Sequence, residues 1–495
     1  MKNQIIKGTF ILSLSGILTR IIGFYYRIFL SKTIGANGMG LYQMIFPVFG
    51  LCYSFAVVGI QMAVSRYTAV YYSRQDKAGM YTVLKTGLLV SFFLSLISSF
   101  FVFAFSDKIA LHILDDSRCS ELLKILSLTI PIGSVHSCIS GYYLGKKRAN
   151  VSAVSQLLEQ LIRVGSVYVI AMVMVSSNMN ISPAIAVWGL VFGEIASALI
   201  CLCFVFSEKS FFTVKMKNTV HTVKDIFSMA YPISLNKIIV SILAALEAVF
   251  IPLSLKKAGF SNNEAISIYG ILMGMAMPFI LFPSTITNSL SAMILPSVAE
   301  SCAKGDYKDI GKTTSKVIKY CISIGIFCSG YFYMYGEPLG IIFFDSPEAG
   351  AYISTLAWIC PFLYLTATLG SILNGMGKTK TTFIHALCES AVKLLFIIFA
   401  IPVMGVKGCL IGILAGHIVC SGLHAFVLYK ESRFYYNTFT FIIRPIFVTA
   451  ISLGISLLLS YSLSSFLPYV ITLILSFCAG GFIFLLYMLI DEKGI

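Results

Sequence analysis

The sequence predicts an all-α integral membrane protein of fourteen transmembrane helices, built as two six-helix lobes plus two C-terminal helices. Three observations predict it. The 495 residues are 58% hydrophobic and 12% charged, with a mean hydropathy of +0.89, outside the range of soluble domains. Apolar runs of roughly 20 to 28 residues recur from end to end, each able to cross about 30 Å of hydrocarbon as a helix. The second set of six runs also repeats residues of the first at nearly constant spacing.

In chain order the first set of spans is 8–30, 40–64, 84–105, 121–144, 151–176 and 182–206. The second set is 227–254, 266–290, 316–335, 350–373, 381–401 and 406–429, and spans 13 and 14 are 441–462 and 467–490. This divides the chain into an N-lobe (1–206), a C-lobe (207–430) and a C-terminal pair (431–495). The longest gaps, 207–226 and 296–315, have room for one short surface helix each. No nucleotide-hydrolysing or glycosyltransferase domain fits, so the reading is a non-enzyme with no catalytic residues. The first run follows Lys2 and Lys7 like a secretory leader, but Arg20 and Arg27 interrupt it and no small-x-small site follows. It reads as an uncleaved span.

A net charge of +15 raises the question of nucleic acid. Its distribution answers it. Arg66, Arg74 and Lys77, "GKKR" at 145–148, "EKSFFTVKMKN" from Glu208 and "AKGDYKDIGKTTSK" from Ala303 all fall in loops on one side. Asp107, Asp115, Asp116, Glu337, Asp345 and Glu348 fall on the other. The positive-inside rule then puts both termini in the cytoplasm of a multi-pass plasma-membrane protein and removes nucleic acid as a partner. Of the 13 cysteines, only Cys119 and Cys302 lie in loops; the rest serve as small apolar residues in spans. Neither a disulfide framework nor zinc spacing is present, so no metal and no cofactor are expected.

Internal repetition is the second organising feature. Pro131, Gly145, Leu157, Glu159 and Arg163 match Pro361, Gly375, Leu387, Glu389 and Lys393, each 230 positions later, as do Asp76 and Asp306. Gly189, Gly193 and Glu194 match Gly412, Gly416 and His417 at 223, and "TRII" at Thr19 matches "NKII" at Asn236, pairing Arg20 with Lys237. An even number of spans per repeat makes the halves parallel. Transporters so constructed hold substrate between lobes and alternate its access by rocking one against the other.

Nine ionisable residues lie well inside spans: Arg20, Arg27, Glu159, Arg163, Glu194, Lys237, Glu247, Glu389 and Lys393. Facing lipid they would together cost on the order of 20–30 kcal/mol, so most must face a polar interior or one another. Arg20 and Arg27, seven apart, share one helix face as a basic stripe suited to bidentate contact with phosphate. Arg27 alternatively snorkels to the interface. Lys237 stands at the matching place of the second lobe, and Glu247 is the candidate partner for a basic residue of span 1. Glu159 with Arg163 and Glu389 with Lys393, four apart, can each neutralise within one helix; ion coupling is the alternative. Glu194 and His417 follow G-x-x-x-G and read as buried polar groups at close-packing sites. His136 and His385 read as hydrogen-bonded within the bundle. In-span prolines, among them Pro47, Pro131, Pro232 and Pro361, mark bends next to cavities.

The stretch "GILTRIIGFYYRIFLSKTIGANGMGLYQMIFPVF" and the "VGIQMAVSRYTA" that closes span 2 resemble stage V sporulation protein B-like members of the polysaccharide transport family, within the multidrug/oligosaccharidyl-lipid/polysaccharide (MOP) flippase superfamily. The resemblance covers nearly the whole chain. It implies a MATE/lipid flippase-like fold and export of an undecaprenyl-diphosphate-linked oligosaccharide or peptidoglycan precursor, for spore cortex or cell-envelope synthesis. The implied partners are that lipid-linked saccharide, membrane lipid and a coupling H+ or Na+, acting on a monomer; spans 13 and 14 would line a groove for the lipid tail. Two departures stand out. Gln61 replaces the usual proline, and span 8 lacks the basic residue expected of lipid II flippases, with Arg66 at the cytoplasmic end of span 2. The competing readings are a cation-coupled multidrug antiporter, which would use an acidic cavity, and a non-transporting scaffold, which would not need deep charges.

Overall fold

The computed structural model describes residues 2–208, 210–216 and 219–492. It is helical, with no strand among the described residues. Thirteen helices there are long and apolar enough to cross a membrane. The first, Leu14–Ser73, has 60 residues, about 90 Å of helix against about 30 Å of hydrocarbon. It breaks at Gly35 (φ 67°, ψ 179°), a backbone conformation open to glycine and avoided by other residues. Two crossings therefore share this helix, and fourteen result.

The chain forms two compact units, Met1–Gly274 and Met275–Ile495. In the first, α1 (Lys2–Tyr53) and α2 (Gly59–Ser73) flank a π-turn at Ser54–Val58. They are followed by α3 (Lys77–Lys108), α4 (Cys119–Ser127), α5 (Thr129–Gly145), α6 (Ala149–Ser176), α7 (Ala184–Phe206), the short α8 (Ser210–Thr213), α9 (Thr219–Lys257) and α10 (Asn262–Gly270). Helix α6 packs along α1 and α7, α5 lies against α2, α3 and α7, α9 lies on α1 and α2, and α10 on α1. Its core joins Ile60, Val64 and Leu84 to the fully buried Tyr142 and Tyr143.

The second unit contains α11 (Met277–Leu281), α12 (Ser284–Ala303), α13 (Tyr307–Phe344), α14 (Pro347–Leu356), α15 (Cys360–Gly375), α16 (Thr379–Leu395), α17 (Ile401–Met404), α18 (Val406–Ser432), α19 (Arg444–Leu463) and α20 (Tyr469–Glu492). Here α15 packs on α12, α13 and α18, and α16 on α18. The α19–α20 hairpin is pinned to α13 by Tyr331, whose hydroxyl meets Ser452 Oγ at 2.9 Å and Ser456 Oγ at 2.7 Å.

The internal repeat has a physical basis that each unit displays by itself. Asp76 caps α3 by accepting from the Gly79 amide, and Asp306 caps α13 by accepting from the Asp309 amide. The residue before each cap turns left-handed, Gln75 at φ 57° and Gly305 at φ 71°, as do Lys147 and Gly377. A Cβ on Gly145 would meet Ser65 O and Thr68, and one on Gly375 would meet Leu295 O and Val298. All these pairs are 230 apart. The repeated residues are thus caps, turns and points of closest helix approach.

Two expectations need correction. Span 8, predicted as a single run 266–290, is interrupted: a π-turn covers Ile271–Ala276, and α12 restarts after Pro283, which lacks an amide proton to continue the helix. The 296–315 gap holds no separate surface helix, because α12 continues through Pro296 to Ala303 and α13 starts at its Asp306 cap.

Glu208 anchors the segment that follows α7. Lys146 Nζ donates to both its oxygens at 2.7 and 2.9 Å, and the Tyr81 hydroxyl donates at 2.8 Å. Burial opposes ionisation, but these donors outweigh it and hold the carboxyl below its usual range. A depressed carboxyl stabilises the fold above its unfolded value and loses that contribution as pH falls through the folded one. Glu208→Gln is therefore expected to lower the melting temperature at neutral pH and to lose the part of the acid sensitivity that appears below about pH 4, read from melts across pH.

Candidate functional site

In the first unit the site begins with a close helix approach. A Cβ on Gly193 would lie 2.9 Å from Glu159 O and 3.2 Å from Arg163 Cβ, and one on Gly189 would lie 2.2 Å from Val167 Cγ2. Only hydrogen at these positions lets α7 sit so near α6. Glu194, next in sequence, is thereby laid against the α6 charges. Arg163 pairs with Glu159 one turn away. His136 on α5 places Nδ1 3.4 Å from Glu194 Oε2, and Ser155 Oγ lies 3.4 Å from its Nε2. Tyr53 hydrogen-bonds Ser137 and feels the Glu194 charge.

Ligand atoms of His136, Glu159 and Glu194 all fall within 4.8 Å of one another. The cluster holds two carboxylates and one guanidinium, which pairs with Glu159, so it lacks one positive charge while His136 is neutral. Proton uptake or a small cation would supply it. The sequence names Glu159, Arg163 and Glu194 separately and assigns no metal ligands; periodicity within one helix does not reveal that three helices converge.

The basic stripe divides. Arg27 is half-buried on α1, within electrostatic reach of Tyr26 and Tyr42. Both tyrosines are buried and interact in turn with Arg163. Arg27 therefore adjoins the acidic cluster through two aromatic side chains that sequence reading missed. Arg20, two turns earlier, is exposed on α1, near the point where Gly23 meets Gln160 of α6. Lys237 is exposed on α9, between Ser234, which faces Gly59, and Ser241, which lies 3.1 Å from Ser54. It joins neither charge cluster among the described contacts. Glu247 is half-buried on α9.

The second unit holds the counterpart. A Cβ on Gly416 would lie 2.8 Å from Lys393 Cγ and 3.3 Å from Glu389 O. Lys393 Nζ donates to Glu389 Oε1 at 2.6 Å. His417 Nδ1 lies 3.1 Å from the same oxygen, at ion-pair distance without hydrogen-bond alignment. Below them His424 hydrogen-bonds the Cys420 carbonyl at 2.7 Å and meets His385 edge to face, with ring centroids 4.8 Å apart. His136 is thus hydrogen-bonded as expected, whereas His385 Nδ1 has no hydrogen-bond partner among the described residues.

Comparison with known proteins agrees with this architecture. Residues 5–302 match the family described as polysaccharide biosynthesis protein, and residues 232–401 match the MatE family. Stage V sporulation protein B of Bacillus subtilis (strain 168) is 27% identical over 87% of this chain and 84% of its own. Lipid II flippase MurJ of the same organism is 24% identical over 88% of this chain and 84% of its own. Among solved structures, a lipid II flippase MurJ in an inward closed conformation superposes with a TM-score of 0.74 at 14% identity, covering 98% of this chain and 99% of that one. An inward-facing multidrug resistance MATE family transporter of the MOP superfamily gives 0.70 at 14% identity, covering 84% and 94%. With a family match across more than half of its length, the chain belongs to the polysaccharide biosynthesis protein family, as a multi-pass membrane protein that shares its fold with MATE and MurJ proteins.

Proposed function

We propose that the protein moves an undecaprenyl-diphosphate-linked oligosaccharide or peptidoglycan precursor across the cytoplasmic membrane by alternating access of lobes 1–206 and 207–430, for spore cortex or cell-envelope synthesis. The observation that carries this reading is Arg27, a guanidinium kept within the α1–α6 bundle beside Tyr26 and Tyr42. Arg20 and Lys237 extend the positive charge, with Glu247 as partner for a basic residue of α1. Guanidinium suits a diphosphate because its fork matches two phosphate oxygens. Lipid II flippase MurJ as a relative supports the substrate class, and stage V sporulation protein B supports the sporulation setting. The cluster of Glu159, Arg163, Glu194 and His136 supplies the coupling half, taking H+ or Na+; each charge moved through the membrane is worth about 2.3 kcal/mol per 100 mV. Both termini lie in the cytoplasm in this scheme, and the unit acts as a monomer.

A second reading, a cation-coupled multidrug antiporter, draws on the same acidic cluster and the MatE match. Vesicles holding the full chain and labelled undecaprenyl-diphosphate sugars separate the two. Wild type is expected to move the lipid between leaflets, and Arg20→Ala or Arg27→Ala to slow it about tenfold or more, the loss of one charge-assisted phosphate contact. Equal rates in the variants would remove the arginines from the site. Export of cationic dyes with no lipid movement would establish the antiporter instead.

A further inference from the structure

Along the seam of α16 and α18 in the second unit runs a file of acid–base side chains that sugar or diphosphate recognition does not use. On α16 His385, Glu389 and Lys393 stand on successive turns, and on α18 His417, Cys420 and His424 face them. His385, His417 and His424 are each more than nine-tenths buried. His385 lies six residues from the start of α16, about 9 Å along the axis, at the end closed by the Lys378–Glu431 ion pair. From there the contacts are continuous. The rings of His385 and His424 are 4.8 Å apart, Cys420 Sγ is 3.5 Å from His424 Nδ1, the Cys420 thiol interacts with Glu389, and Glu389 contacts His417 and Lys393.

Helix packing does not require these imidazoles. The first unit builds the same α6–α7 seam, with the same Gly, Glu and cation spacing, yet it has Ser155, Ser197 and Cys201 where the second has His385, Cys420 and His424. We infer that the second unit contains a proton relay from the Lys378–Glu431 end of α16 to Glu389, passing through His385, His424 and Cys420. In it His385 takes a proton and hands it to His424, which becomes imidazolium. The Cys420 thiol gives its proton to the Glu389 carboxylate and is reprotonated by His424, so both imidazoles end neutral and Glu389 becomes a carboxylic acid. Protonation removes the counter-charge of Lys393 and leaves an ammonium beside neutral His417. The charges facing Glu389 are Lys393 on its own helix and, from α18, His417 and Cys420; Cys388 faces Cys420.

Protonation-gated release of Lys393 deepens the flippase reading and rests on it for its purpose, since a freed ammonium favours an anionic lipid. The relay itself is tested without any lipid. Infrared difference spectra of the full chain in nanodiscs, on a pH jump from about 8 to about 5, should show a protonated-carboxyl band that E389Q removes and E159Q leaves. H385N/H424N should keep the amplitude but form the band at least tenfold more slowly, and H424Q alone provides the same comparison if the double variant does not fold. A band insensitive to E389Q, or one that forms at the wild-type rate in the His variants, overturns the relay. An intact, His-dependent band in a protein that moves no lipid-linked sugar would leave the relay standing and sink the substrate reading.

Discussion

Arg163→Met is expected to cost about 3–5 kcal/mol, the penalty for leaving a buried charge without its partner. The variant would hold Glu159 and Glu194 within 4.8 Å of each other and of His136, with no fixed cation. Only protonation or a captured cation relieves that repulsion. Combining it with Glu159→Gln removes the orphaned charge and should recover most of the loss, so the two changes are strongly non-additive. Lys393→Met in the second unit should cost less, because a single carboxylate then remains beside His417, which can take up a proton. Thermal unfolding of purified protein, followed by tryptophan fluorescence, measures these three variants and Glu159→Gln alone. A double variant as unstable as Arg163→Met alone would place the origin of the loss in guanidinium packing rather than charge.

The comparison between the two clusters also explains what sequence could and could not reveal. Residues whose role depends on their own helix were legible: the i,i+4 pairs of Glu159 with Arg163 and Glu389 with Lys393 follow from helical rise alone. So were Asp76 and Asp306, whose repetition marks equivalent loops, although their capping role emerges only from φ/ψ and the amides they accept from. Residues whose role depends on a neighbouring helix were not legible. Tyr26 and Tyr42 sit in apolar runs where aromatic side chains ordinarily face lipid, and nothing in the period of α1 shows that they lie between Arg27 and Arg163. His424 and Cys420 belong to the same class. The one usable signal was the 223-residue offset, which aligns them with Cys201 and Ser197 and exposes the divergence. Span boundaries blurred for a different reason: Pro283 and Pro296 look alike in sequence, yet α12 breaks before starting at Ser284 and runs on through Pro296.

Gly270→Val should have the other large effect, at a place where no charge is involved. A Cβ on Gly270 would lie 2.1 Å from Ala36 O and 2.5 Å from the Gly40 amide nitrogen, and one on Gly40 would lie 2.1 Å from Ile266 O. These obstacles are backbone, so no rotamer change accommodates the side chain and α1 and α10 must separate. The expected loss is about 3 kcal/mol or more, at or beyond the top of the usual overpacking range. Separation would also break the polar contacts beyond the crossing, where Asn37 Nδ2 donates to Asn263 O at 3.0 Å and Arg118 Nη1 donates to Asn37 Oδ1 at 2.9 Å. A cysteine at Ala265, wholly buried in the native packing, should then react with a thiol reagent in Gly270→Val and not in the parent. Gly165→Ala is the control: its Cβ meets nothing within 4 Å, and replacing a mid-helix glycine by alanine should be neutral or stabilising by about 0.5–1 kcal/mol. If both glycine substitutions melt alike and Ala265→Cys stays protected in each, the α1–α10 crossing yields more easily than its backbone distances imply. The repeated close approach at Gly145 and Gly375, 230 positions apart, would then become the stricter packing constraint on the fold, since the Cβ that each would carry also meets a carbonyl.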